Sequence, residues 1–130
     1  MSELPTPEQR QRQELKQAVE EVVQGLLYPS ESDEPFVWIE LPGAGQEPLD
    51  LERLRTALGL KPSTPLEWPD TKTFWEALDA EPRFTELRAT LEGLLGQLWI
   101  CRAGSVEVSV YILGRHGEDL VGLKTLSVET

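Results

Sequence analysis

Apolar residues recur at helical spacing in two stretches of the chain. The first stretch follows Thr6 and Pro7, which are favoured at the N-cap and the first position of a helix. Its apolar stripe consists of Leu15, Ala18, Val19, Val22, Val23, Leu26 and Leu27. The second stretch covers residues 83–99, with a stripe of Phe84, Leu87, Leu91, Leu94, Leu95 and Leu98. Both stripes predict amphipathic helices that pack one face on a core.

A strand and several shorter elements are predicted between these two helices. Residues 36–41 are rich in aromatic and β-branched residues, which favours a strand. Residues 50–58 and 71–78 are interpreted as short helices. Residues 43–48 and 62–69 contain glycines or prolines at close spacing and are interpreted as loops.

The last part of the sequence predicts a C-terminal β-hairpin. Residues 106–113 alternate between two faces, and residues 120–128 return after a turn at residues 114–118. The apolar phase shifts within the returning strand, so we expect a β-bulge near Lys124 and Thr125. The whole order of elements predicts an α+β domain, with helices packed on a small and mostly antiparallel sheet.

The composition fits one soluble globular domain of 130 residues, in which we expect residues 1–6 to form a frayed N-terminal tail. Twelve Lys and Arg residues stand against twenty-three Asp and Glu residues, so the formal net charge is −11. This balance disfavours direct binding to nucleic acid or to an anionic membrane, and it favours basic protein partners. The first residues lack the pattern of a signal peptide, so we expect a cytoplasmic protein.

An acidic loop is predicted between the first helix and the first strand, within residues 25–36. It contains two serines and three carboxylates between Pro29 and Pro35, namely Ser30, Glu31, Ser32, Asp33 and Glu34. Because proline fixes φ and restricts the preceding residue, the loop should be stiff. A stiff acidic loop between two core elements is suited to present negative charge to a partner, although most acidic loops are simply solvated.

The residues give little support for catalysis or for a bound metal. His116 is the single histidine and is placed in the predicted hairpin turn, where a surface role is favoured. Cys101, the single cysteine, is expected to be a buried apolar residue. The acidic loop lacks the spacing and the glycine of a calcium loop, and no phosphate-binding glycine loop is present. We therefore expect neither an enzyme nor a cofactor.

Trp68 differs from the other three tryptophans of the sequence. Trp38, Trp75 and Trp99 lie in apolar patterns and are expected in the core, whereas Trp68 lies in a proline-rich loop. A tryptophan in such a loop anchors either the loop itself or an interface with a partner. The residues alone leave these two interpretations open.

The sequence resembles the nuclease A inhibitor (NuiA-like) family. The resemblance is carried by residues 25–28 with Ser30-Glu31-Ser32 and Pro35-Phe36, and by the hairpin of residues 106–128 with the final Val-Glu-Thr. Thr64-Pro65 and Glu67-Trp68 add a weaker match, and residues 43–62 match poorly. The final three residues are the most specific part of the resemblance.

The resemblance implies a three-layer α-β-α sandwich that inhibits a sugar-non-specific, magnesium-dependent DNA/RNA endonuclease of the ββα-metal type. It implies that Glu31 engages the catalytic region of the nuclease, with Ser30, Ser32, Asp33 and Glu34 as the flanking loop. Thr130 would approach the magnesium held by the nuclease, and Glu67 and Trp68 would add flanking contacts. The sequence departs from the family pattern at Pro29 and at Glu67.

Two other hypotheses are compatible with the residues. The first is a non-inhibitory interaction module that binds another basic protein through the same acidic surface. The second is a hydrolytic enzyme built on carboxylates within residues 31–34, for which no partner base or nucleophile can be named. In the inhibitor hypothesis the chain is expected to be a monomer when free, and the nuclease rather than nucleic acid is its partner.

Overall fold

A five-stranded antiparallel sheet forms the centre of the part of the chain that the structure describes, which comprises residues 4–47 and 49–129 of this computed structural model. In order across the sheet, its strands are β3 (Val37–Leu41), β7 (Asp119–Val128), β6 (Glu107–His116), β5 (Leu98–Ala103) and β4 (Leu66–Glu67). A two-stranded ribbon, formed by β1 (Leu27–Tyr28) and β2 (Glu34–Pro35), lies beside it. The described helices are α1 (Pro7–Val23), α2 (Leu51–Ala57), α3 (Thr71–Glu76) and α4 (Pro82–Leu95).

Helices cover both faces of the sheet, so the predicted α+β class and the three-layer sandwich are confirmed. On one face, which we call the inner face, α1, α3 and α4 bury apolar side chains such as Val19, Phe74 and Leu87 against Ile100 and Ile112 of the sheet. On the other face, the buried side chains include Leu54 of α2, Cys101, Tyr111, Leu113 and Leu120. No described helix is long and apolar enough to span a membrane.

Helix α1 begins as predicted. Thr6 accepts a hydrogen bond from the backbone N–H of Gln9, whose side chain bonds back to the Thr6 backbone, and Pro7 follows at the first helical position. This capping box satisfies donors that have no partner within the helix. The apolar stripe continues beyond the helix only to Leu26, because the next residue, Leu27, lies in β1 with its side chain exposed.

Helix α4 is shorter than predicted, because it ends at Leu95 rather than near residue 99. Gly96 has a φ of 76°, a left-handed conformation that stops the helix and that glycine adopts without steric cost. Leu98 and Trp99 already belong to β5. Leu98 contacts the same core as Leu91 and Leu95, but it does so from the strand. Its helical spacing from these two residues therefore led to the prediction of a longer helix.

The hairpin is longer and more regular than predicted. β6 continues to His116 and β7 starts at Asp119, so the turn contains only Gly117 and Glu118. The pairing is continuous from the Glu107–Val128 pair to the His116–Asp119 pair, so the predicted bulge is wrong.

The phase shift in β7 has a different cause from a bulge. Thr125 and Ser127 continue the inner-face positions of the strand and are buried polar residues. The Thr125 hydroxyl donates a hydrogen bond of 2.9 Å to the Pro35 carbonyl. The inner face of β7 thus changes from apolar to polar where the ribbon covers it.

The predicted short helices are confirmed as α2 and α3, with Asp50 and Asp70 as their N-caps. The interpretation of residues 62–69 as loop is wrong at one point, because Leu66–Glu67 form the edge strand β4. Two residues with neighbouring prolines give too short a pattern to be recognised in the sequence, and the strand exists through its pairing with β5.

Candidate functional site

The acidic loop is the tip of a small hairpin. Leu27 pairs with Pro35 and Tyr28 pairs with Glu34, so residues 29–33 connect β1 to β2. Within this tip the backbone N–H of Ser30 donates to Asp33 Oδ1 at 3.3 Å, and Asp33 has a φ of 44°. A short polar side chain that bonds its own turn tolerates this conformation. The tip is therefore folded on itself.

The side chains of the tip differ in exposure. Glu31, Ser32 and Asp33 are exposed, whereas Ser30 and Glu34 are half-buried. The Ser30 hydroxyl accepts a hydrogen bond of 3.4 Å from the backbone N–H of Ser32. Two carboxylates of the predicted loop, at Glu31 and Asp33, thus lie on the surface of the molecule.

Aromatic packing holds the base of this hairpin. Tyr28 is buried, and its ring lies 6.1 Å from the Phe36 ring and 6.2 Å from the Phe74 ring, measured between centroids. Phe36 in turn contacts Phe84 of α4 at 6.1 Å. Such pairs add to the free energy of burial, and both residues that they fix, Tyr28 and Phe36, belong to the buried core.

The tip of the hairpin contacts the end of β7. The backbone N–H of Glu31 donates to the carbonyl of Val128 at 3.3 Å, and the Val128 N–H donates to the Ser30 hydroxyl at 3.2 Å. These two bonds join the acidic loop to the last strand. Thr130, the other residue that the resemblance assigned to this region, lies outside the described residues.

Glu129 follows β7 and is held by three contacts. Its backbone N–H donates to the Val106 carbonyl at 2.8 Å, and its carboxylate accepts a hydrogen bond of 2.8 Å from Ser127. The same carboxylate forms an ion pair with Arg102 of β5. The hydrogen bond from Arg102 and the smaller one from Ser127 hold the pKa of Glu129 below its usual value.

Sequence reasoning missed Arg102. Its partner Glu129 is 27 positions away along the chain, and the two are brought together only by the register of β5, β6 and β7. The alternation of β5 offers one signal, since Leu98 and Ile100 are buried on the inner face and the next position of that face is charged.

Glu67 and Trp68 lie at the far edge of the sheet from β3. Glu67 in β4 pairs with Arg102, which pairs with Val110, which in turn pairs with Thr125 of β7. Three strand spacings therefore separate Glu67 from β7, or roughly 14 Å. The structure places both glutamates, Glu31 and Glu67, at the same end of the sheet but not side by side.

Trp68 is the most exposed tryptophan of the described residues, at 36% of its surface. It borders a cavity of about 360 Å³ whose lining includes Trp75 and Trp99. Trp75 is buried, and Trp38 and Trp99 are half-buried against the two cores, as expected. The exposure of Trp68 suits an interface anchor, while its place beside the cavity also suits a loop anchor.

A different polar cluster occupies the opposite end of the sheet. Arg12 forms ion pairs with Glu40 at 2.8 Å and with Asp119 at 3.0 Å, and its Nε donates to His116 Nδ1 at 2.9 Å. His116 is therefore the last residue of β6 and accepts a hydrogen bond from Arg12. The predicted position in a hairpin loop is wrong. The partner of His116, Arg12, joins α1 to the hairpin turn.

Neither a reactive thiol nor a metal centre is found among residues 4–47 and 49–129. Burial raises the pKa of the Cys101 thiol to about 12, so this group stays protonated at neutral pH. In the same residues, no group of three or more His, Cys, Asp or Glu side chains is arranged to hold a metal ion.

Comparison with known families gives one result. The family model described as nuclease A inhibitor-like protein matches residues 13–130, which include the acidic loop, β4 and the end of β7. A comparison with curated proteins gives no match.

Proposed function

This chain belongs to the nuclease A inhibitor-like family, and we propose on that basis that it inhibits a sugar-non-specific, magnesium-dependent DNA/RNA endonuclease of the ββα-metal type. In this proposal the acidic loop and the C-terminal residues occupy the active site of the nuclease, and the chain carries out no catalysis of its own. Its partner is a basic protein, because the formal net charge of the chain is −11.

The observation that carries the proposal is the bonding of the acidic loop to the end of β7. The bond between the Glu31 N–H and the Val128 carbonyl joins the exposed Glu31 to the end of β7. Anionic groups that are separate in the sequence can therefore act on one site of a partner. Pre-ordering of this kind reduces the entropy that is lost on binding.

The chemistry of the target explains why carboxylates would block it. A nuclease that cleaves phosphodiesters presents cations and a divalent metal to phosphate oxygens, and carboxylate oxygens can take the place of those ligands. We assign this role to Glu31 and, through its carboxyl oxygens, to Thr130. Glu67 and Trp68 add contacts at the flank, and Ser30, Ser32, Asp33 and Glu34 shape the loop.

A cleavage assay tests this proposal. A ββα-metal nuclease is incubated with DNA in magnesium, and the protein is added in increasing amounts at low and at moderate salt. We expect cleavage to stop near a one-to-one ratio, with slower association at higher salt because exposed charges are screened. Glu14→Gln, which removes one exposed charge from α1, is the matched control for Glu31→Gln.

Two outcomes decide between the hypotheses. Loss of inhibition in Glu31→Gln but not in Glu14→Gln supports binding through the loop. Full cleavage in the presence of excess protein contradicts the proposal for that nuclease, and it would favour the alternative of a non-inhibitory module that binds another basic protein.

A further inference from the structure

Arg102 lies between the parts of the candidate site. It occupies an inner-face position of β5, directly opposite Glu67 in β4 and Val110 in β6. Its guanidinium reaches past β6 to the carboxylate of Glu129, which follows β7. Arg102 of the sheet thus contacts Glu129, which is the last described residue of the chain.

The same guanidinium acts on the base of the acidic loop. Burial raises the pKa of Tyr28, and the charge and hydrogen bond of Arg102 oppose that rise. Tyr28 immediately precedes the tip of the hairpin, and its ring is fixed by Phe36 and Phe74. The charge of Arg102 thus acts on the buried Tyr28 as well as on Glu129.

We propose that Arg102 is a positioning residue, which fixes Glu129 and the acidic loop in one arrangement before a nuclease binds. This inference rests on the proposed function for its effect on inhibition. Arg102 acts through Glu129, whose carboxylate it holds on the inner face together with the Ser127 hydroxyl. The backbone of the preceding residue, Val128, then bonds both Ser30 and Glu31.

The arrangement divides the carboxylates of the site into two groups. The Glu129 carboxylate is bound within the protein by Arg102, whereas the Glu31 side chain is exposed at the tip. In this proposal Glu129 fixes the course of the backbone after β7. The groups that contact the nuclease are then Glu31 and the residue that follows Glu129. A loose C-terminal segment would have to be ordered on binding, which would weaken the complex.

Amide hydrogen exchange of the free protein tests the positioning role without any nuclease. In Arg102→Gln we expect exchange at the amides of Glu31, Val128 and Glu129 to rise about five- to tenfold, as local opening becomes easier. Exchange at the core amide of Ile112 should stay as in the unchanged protein. Arg88→Gln, which breaks the exposed 2.8 Å ion pair with Glu92 on α4, is the matched control and should leave all four amides unchanged.

Two exchange results overturn the proposal. Unchanged protection at Glu31, Val128 and Glu129 in Arg102→Gln would mean that Arg102 does not hold this region. A uniform rise that includes Ile112 would mean that Arg102 contributes only to the global stability of the fold.

A double-mutant cycle tests the effect on inhibition. We expect Arg102→Gln to raise the inhibition constant about tenfold, mainly through faster dissociation. In a Glu129→Ala background the same change should have little further effect, because the residue through which Arg102 acts is already absent. Additive effects of the two substitutions contradict the proposal. If the unchanged protein does not inhibit the nuclease, the proposed function fails, and the exchange experiment still decides whether Arg102 positions the loop.

Discussion

Each end of the sheet carries an arginine and several carboxylates, but the two ends differ in how many of these carboxylates the arginine binds. At the turn of the hairpin, Glu40 and Asp119 both bind Arg12, which joins α1 to the sheet. At the other end, Arg102 binds Glu129, while the carboxylates of Glu31 and Asp33 are exposed at the tip of the acidic loop. One arginine at each end thus binds carboxylates that are far from it in the sequence, and at the loop end two further carboxylates are exposed.

The largest effect on function is expected from Glu31→Ala at the loop end. If the proposed function holds, inhibition should weaken about 100-fold, since the variant removes the charge that the proposal sets against the cations of the nuclease. Thermal unfolding should stay unchanged, because the side chain is exposed. Titration of nuclease activity and a melting curve measure the two quantities. Strong inhibition by this variant would show that the acidic loop is not the binding element.

The largest effect on stability is expected from Arg12→Ala at the turn end. This variant leaves Glu40, Asp119 and His116 without their shared donor, and we expect a loss of about 2 kcal/mol in the free energy of unfolding. Urea denaturation measures it, with the exposed Arg10→Ala on the same helix as control. Inhibition per folded molecule should not change. A loss of inhibition at full folding would contradict the separation of the two ends.

A smaller effect on binding is expected from Trp68→Ala. Removal of this half-exposed ring should weaken inhibition about tenfold, which is typical of a flanking aromatic contact. Leu94→Ala on α4, where the leucine is 45% exposed, is the matched control and should bind as the unchanged protein does. Equal inhibition by both variants would favour the interpretation of Trp68 as a loop anchor.

The smallest effect is a pH dependence of stability that arises at the turn end. Burial alone would raise the pKa of Glu40, but hydrogen bonds from Trp38 and Arg12 outweigh it and hold the pKa below its usual value. The backbone N–H of Gly43, and then Arg12, lower the pKa of Asp119. Carboxylates with a lowered folded-state pKa stabilise the protein above their unfolded-state pKa, and this contribution is lost as pH falls through the folded-state value.

The measurement is the urea midpoint between pH 7 and pH 3. The midpoint should fall below about pH 4.5, near the ordinary pKa of a carboxylate, and Arg12→Ala should show a shallower fall. The loop end contributes through Glu129, whose pKa Arg102 lowers, so Arg102→Gln serves as the comparison. Identical pH profiles for the unchanged protein and Arg12→Ala would contradict the assignment to the turn end.

The sequence predicted those parts of the fold that depend on local patterns. The cap at Thr6, the short helices α2 and α3, and the alternation of β6 each involve residues within a few positions of one another. The acidic loop was predicted for the same reason. The prediction of the end of α4 was wrong because Leu98 lies at helical spacing from Leu91 and Leu95 and packs in the same core. Leu98 nevertheless belongs to the strand β5.

The contacts that distinguish the two ends could not be predicted. Arg12 and His116 are 104 positions apart, and Arg102 and Glu129 are 27 apart. Such pairs depend on strand order and register, which hydrophobic spacing does not specify. The buried Thr125 shows the same limit, because its polar position suggested a bulge until the carbonyl of Pro35 supplied its hydrogen-bond partner.

The burial of Cys101 gives this protein a practical property. Its thiol, the single one of the sequence, is protonated and enclosed, so maleimide reagents should leave it unmodified in the folded state. A Ser32→Cys variant would then carry one accessible thiol at the tip of the acidic loop. A fluorophore attached there would report the docking of a partner directly, without removal of any native cysteine.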